Sequence, residues 1–172
     1  MLGTIPPGQG VSVTPIQASD EVVVPFSPSE VWRVLTDIAA FPGWWPRRLQ
    51  LRVLHCEPGL VGSEVEMRPF SGRPFRCRVE ALEEPCRIRT RYHGGFITGR
   101  GEWRLEPSGS GTRVRYELDV QAEGRVVAWL GRILPLGRLH SRQMQGVLRQ
   151  LERVLMQANG VAPPGEGKGE GA

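Results

Sequence analysis

Three histidines, two tyrosines and three cysteines are the residues here that could move a proton, act as a nucleophile or hold a metal. His140 stands out. It lies near an apolar helical stripe, where an imidazole could act as acid or base on a bound carbonyl compound. Tyr92 and Tyr116, if they point inward, could orient or protonate an oxygen. These three are the catalytic candidates, while a place at a pocket rim or a structural hydrogen bond is the simpler role for His140. His55, His93 and His140 are far apart in the chain, so a shared metal is not expected. Cys56, Cys77 and Cys86 are odd in number and lack CxxC spacing, which argues against a zinc site or a disulfide framework. Three buried or half-buried free thiols are expected instead. HExxH, GxSxG, a phosphate-binding glycine loop and a dinucleotide fingerprint are absent. Gly99-Arg100-Gly101 sits mid-strand and leads into no helix, so no cofactor is expected.

The elements that must position these residues follow from periodicity. Turn signals at hairpin spacing separate strands at 21–26, 49–57, 61–70, 75–83, 86–93, 96–106 and 112–121. Short connections between them imply an antiparallel meander. After Gly124 the period becomes helical, with Met144, Val147, Leu148, Leu151, Val154 and Leu155 on one face. Pro135 must interrupt that segment. The pattern predicts a helical piece over 126–134 and a long helix over 136–158, about 35 Å at 1.5 Å per residue. Residues 1–18 and the tail from 160 lack periodicity and are rich in Gly and Pro. They are expected to be flexible, flanking one domain over 19–159.

Between the first strand and the second, the chain reads VVVPFSPSEVWRVLTDIAAFPGWWP over 22–46. Ser27, Pro28 and Glu30 form a capping box with proline at the first helical position. Phe26 and Val31 suit a hydrophobic staple. Val31, Val34, Leu35 and Ile38 repeat at helical spacing, and Pro42-Gly43 ends the run. Asp37 suits a local hydrogen bond at the helix end. Strand, capped helix, Asp37, Phe41-Pro42 and Trp45-Pro46 together resemble the N-terminal signature of the polyketide cyclase and START-like (SRPBCC, Bet v 1-like) superfamily. That resemblance covers about Asp20 to Asn159. It implies an α+β helix-grip fold: a seven-stranded curved antiparallel sheet around a long C-terminal helix, two short helices after strand 1, and a hydrophobic cavity between sheet and helix.

Alternation assigns the faces. Val114, Tyr116, Leu118 and Val120 share the inner side, as do Ile88, Thr90 and Tyr92, then Phe75, Cys77, Val79 and Ala81, then Val65 and Met67. Ile97, Gly99, Gly101, Trp103 and Leu105 also face in. Two successive inner glycines mark either a bend or room for a ligand. From the C-terminal segment Trp129, Ile133, Leu136, His140, Met144 and Val147 should face the sheet. The expected ligand-binding set is Met67, Phe75, Tyr92, Gly99, Gly101, Trp103, Tyr116, Trp129, Ile133, His140 and Met144, a lining that suits flat or greasy molecules.

The chain has 172 residues, 40% hydrophobic and 23% charged, with net charge +4. That suits one soluble domain with a real core. No apolar run approaches the roughly 20 residues that span a bilayer, and no signal peptide is read, so a cytoplasmic protein is expected. Lys168 is the only lysine, and the arginines alternate with apolar residues, as on a half-exposed sheet. Binding or transport of a hydrophobic small molecule (lipid, quinone or polyketide-like) leads the functional expectations. An enzyme of cyclase or dehydratase type is the alternative that the resemblance implies. A basic surface that meets RNA, ribosomes or anionic membrane is the third reading; DNA is not expected, and the oligomeric state is open.

Overall fold

The computed structural model describes residues 13–68, 72–123 and 136–160. Seven strands, β1 (Val13–Val24), β2 (Arg52–His55), β3 (Glu64–Met67), β4 (Phe75–Glu83), β5 (Arg87–His93), β6 (Ile97–Ser108) and β7 (Gly111–Glu123), form one antiparallel sheet. Its order is β1-β7-β6-β5-β4-β3-β2. Strands 2 to 7 are therefore a meander, and β1 closes against β7. Helices α1 (Pro28–Thr36) and α2 (Phe41–Trp44) lie between β1 and β2, with 3-10 turns at Ile38–Ala40 and Arg47–Leu49. The long helix α3 (Leu136–Ala158) packs against β1, α1 and α2. This is the helix-grip arrangement.

The local chemistry explains the elements. Ser27 caps α1: its Oγ accepts from Glu30 N at 3.4 Å, and Glu30 Oε2 accepts from Ser27 N at 2.7 Å. Asp37 Oδ1 accepts from Ala40 N at 3.2 Å and so starts the first 3-10 turn. On α3, Met144, Val147, Leu148, Leu151 and Leu155 are buried, and Val154 sits half-buried at the edge of the stripe.

Several expectations need correction. β1 begins at Val13, inside the stretch expected to be flexible, and pairs with β7 from Val13↔Glu123 to Val24↔Thr112. Pro15 is tolerated because β1 is an edge strand, where a missing N–H is not missed. The register of β4 shifts between Val79 and Ala81. A bulge of this kind re-aims the following residues, and Leu82, rather than Ala81, packs on the core. Cys56 and Cys86 are exposed, and only Cys77 is half-buried. Strands β2 and β3 are also shorter than expected. Gln50 (φ 39°) and Gly62 (φ 96°), inside the expected ranges, have positive φ, which does not continue a ladder. The expected helical piece over 126–134, with Trp129 and Ile133, lies outside the described residues, as does the tail beyond 160.

Candidate functional site

The concave side of the sheet, α1–α2 and α3 enclose a cavity of about 250 Å³. Strands β3 to β7 supply its floor because their inward positions alternate as expected: Met67, Phe75, Val79, Ile88, Tyr92, Trp103, Tyr116, Leu118 and Val120 are all buried and line it. Helix α3 brings His140, Gln143 and Met144 over them. The expected lining residues Met67, Phe75, Tyr92, Trp103, Tyr116, His140 and Met144 thus stand together. Gly99 and Gly101 do not line the cavity among the described residues.

The two glycines do different work. Gly99 has φ 145°, and a Cβ there would run into the Asp119 carbonyl and Val120 of β7, so it permits a close strand approach. A Cβ at Gly101 would meet the Tyr116 hydroxyl, Thr90 Oγ1 at 2.8 Å and the Tyr92 ring at 3.0 Å. The missing side chain gives its room to a cluster of polar groups. In that cluster the Tyr92 and Tyr116 hydroxyls bond to each other, and Thr90 Oγ1 donates to the Gly101 carbonyl at 3.0 Å. Cys77 is the cross-strand neighbour of Tyr92.

Burial governs the protonation of this cluster. It pushes the phenols of Tyr92 and Tyr116 up, and the Cys77 thiol up to about 12. His140 is pushed down by burial, against an opposing pull from Asp20. At neutral pH the cavity therefore holds phenols, a thiol and a neutral imidazole, with no charge among them. The His140 ring sits 6.2 Å from that of Tyr116, and its Nε2 is buried without a partner among the described residues. Trp45, at the wall, also has a buried indole N–H without a partner among the described residues. Both are unpartnered polar atoms on residues of an otherwise apolar lining.

Sequence reasoning missed part of this wall. Leu35, Ile38, Phe41 and Trp45 line the cavity from the helical side. Phe41 stacks on Trp45 at 5.1 Å and meets Trp44 edge-on at 5.1 Å. The signal was present in the apolar stripe and the paired tryptophans. Asp20 was also missed. It faces inward opposite Tyr116, is buried, and accepts from Gln145 Nε2 at 3.4 Å, while its Oδ2 has no partner among the described residues. The remaining histidines stay outside the site: His55 meets Glu57 at 2.7 Å and His93 meets Glu64 at 3.1 Å.

Residues 15–156 match the family described as polyketide cyclase / dehydrase and lipid transport. The chain belongs to this family. Its cavity lining, α1, α2 and α3 as far as Met156 fall inside the matched region. Among solved structures, this family member is similar to the protein TTHA0849 from Thermus thermophilus, with 21% identity, 83% of this chain and 98% of that one covered, and a TM-score of 0.71. A START superfamily protein from Mycobacterium smegmatis shares 18% identity over 83% of this chain and 98% of its own, with a TM-score of 0.63. The ribosome association toxin RatA of Escherichia coli K12 is 21% identical over 113 residues, 64% of this chain and 72% of that protein. At these identities the solved structures support the fold.

Proposed function

We propose that this polyketide cyclase/START-like domain binds a compact, largely apolar small molecule in the cavity and meets one oxygen of it with the uncharged polar cluster. The observation that carries this reading is the lining: carbon-rich walls from sheet and helices, broken among the described residues by the polar groups of Trp45, Trp103, Gln143, His140, Thr90, Cys77 and the tyrosine pair. A volume of about 250 Å³ exceeds the roughly 150 Å³ that holds a benzene ring, so one or two rings fit the scale. A lipid, quinone or polyketide-like molecule satisfies both the walls and the polar end. Thermal shift against a panel of neutral ring-bearing ketones, phenols and quinones tests it. A ligand at 100 times its Kd adds about 2.7 kcal/mol, or roughly 5–10 °C for a chain of this size. Carboxylated analogues should give no shift, since a buried charge would find no partner in the cavity. Equal shifts with charged and neutral compounds would refute the reading.

A second reading rests on the unpartnered His140 Nε2. As a neutral imidazole it is a base at physiological pH, and the Tyr92–Tyr116 pair is a donor for a carbonyl oxygen. Proton removal next to that carbonyl, ring closure and loss of water would make the domain a cyclase or dehydratase. Retained binding with loss of cyclised product in His140→Gln is the expected result. Unchanged product formation would leave binding alone.

A further inference from the structure

The arginines fall into two populations. On the outer face of the sheet most are neutralised in place, and Arg100 on β6 is the exposed exception among the described residues. Arg76 and Arg78 reach Glu64, Arg87 and Arg89 reach Glu83, Arg91 reaches Glu80 and Arg115 reaches Glu21, at 3.0 to 3.8 Å. On α3, Arg138, Arg142, Arg149 and Arg153 are all exposed, and none forms an ion pair among the described residues. At 3.6 residues per turn the four fall within about 60° of one another and run about 22 Å along the helix. Gly146, midway along this row, lies against Pro46, whose Cγ would be 4.0 Å from a Cβ there. Pro46 leads the 3-10 turn that carries the exposed Arg47 and Arg48, which therefore stand beside the row.

This arrangement works against the helix that carries it. Arg138/Arg142 and Arg149/Arg153 are like-charge pairs at i,i+4 spacing, which destabilise a helix. Arg138 is in the first turn, where a cation opposes the helix dipole, and α3 has no acid in its first turn and no base in its last. Glu152, half-buried, is the single acid on α3. A solvated surface has no use for such a row, whereas a polyanion does.

We propose that this face of α3, with Arg47 and Arg48, binds the phosphodiester backbone of single-stranded RNA. The guanidinium fork matches phosphate oxygens two at a time. The i,i+4 step of about 6 Å is comparable to the step between neighbouring phosphates on a strand. Helix α3 is packed lengthwise on β1 and α1, so it cannot enter a DNA major groove and can only lie along a backbone. A membrane surface would need apolar residues interleaved with the cations. Beside this row Leu139, 41% exposed, is the one large exposed apolar residue of α3 among the described residues, and between Arg142 and Arg149 the face carries Gln145 and Gly146, too little apolar surface for an interfacial helix. Recognition is therefore of charge and not of sequence.

Fluorescence anisotropy of the full chain with a labelled oligouridine strand tests this across about 50 to 200 mM salt. Four to six phosphate contacts predict a slope of log K against log salt of about −3 to −4. Arg142→Gln/Arg149→Gln/Arg153→Gln should flatten that slope by about 2 and weaken binding at least about tenfold at 100 mM salt. The sheet variant Arg76→Gln/Arg78→Gln/Arg91→Gln should stay within about twofold of the parent. Circular dichroism melts of both variants establish that they fold. No binding at the lowest salt, equal loss in the sheet variant, tighter binding to duplex DNA, or binding to phosphatidylglycerol-containing vesicles without RNA binding would each overturn the proposal. None of these results depends on what the cavity holds.

Discussion

The two faces of the sheet are built from the same strands and do opposite things. On the outer face the cations, Arg100 apart, find carboxylates among the described residues: Arg104 meets Glu102 and Glu117, Arg113 and Arg115 meet Glu21. Around the cavity the polar groups are few and uncharged, with the inward Asp20 carboxylate outside its lining, and several lack partners among the described residues. A saturated surface has little left to offer a ligand, whereas an unsaturated one holds binding capacity in reserve. The difference between the faces thus places the candidate chemistry inside, around Tyr92, Tyr116 and His140, although most of the charge lies outside.

The contrast can be tested by changing one face at a time. The largest effect is expected in the packed part of the inner layer, where no cavity relieves the loss. Leu148→Ala removes a side chain that is 1% exposed and should lower stability by about 2–5 kcal/mol in urea unfolding. Gly101→Val comes next. It forces a side chain into the space of the Tyr116 hydroxyl and Thr90, and should cost about 1–3 kcal/mol by overpacking and shift ligand affinity with it. Tyr116→Phe leaves the Tyr92 hydroxyl buried without its partner, at about 1–3 kcal/mol. The double Tyr92→Phe/Tyr116→Phe change should cost less than the sum of the two single changes, which a double-mutant cycle measures.

His140 sets the pH behaviour of the inner face. Its folded pKa lies below the ordinary 6.5 because burial disfavours the imidazolium. The unfolded chain then binds more protons between those two values, so stability rises with pH there. This contribution is fully present above about pH 6.5 and is lost as pH falls through the folded value. Replacing His140 with Gln should flatten that acid limb in melts recorded from pH 7 downward. The smallest effect belongs to the outer face. Glu83→Gln removes the partner of Arg87 and Arg89, whose side chains are 38% and 50% exposed, and should change stability by less than about 1 kcal/mol.

How legible each region was in the sequence follows the same division. β4 and α3 were readable to their end residues, because Pro and Gly bounded them and their periods of 2 and 3.6 were clean. The inner faces of β5, β6 and β7 followed from alternation alone. β1 was read too short because Pro15 and the polar run Gln17, Ser19 and Asp20 mask an inward set of Ile16, Ala18 and Val22. Asp20 shares the face of Ile16, Ala18 and Val22 by alternation once β1 is extended to Val13, but a carboxylate there runs against the burial preference that patterning relies on. The β4 bulge was invisible for a similar reason: one extra residue leaves no mark on composition. The cavity's helical wall was in view as a motif, but Phe41 and Trp45 needed the fold to show which way they face.

The measurement that tests the central claim most directly is native mass spectrometry of the full chain purified without detergent, followed by denaturing extraction. The cavity account predicts an added mass that leaves on denaturation and partitions into organic solvent as a neutral, ring- or chain-bearing molecule. A mass equal to that of the bare chain, together with no thermal shift across the neutral panel, would contradict it.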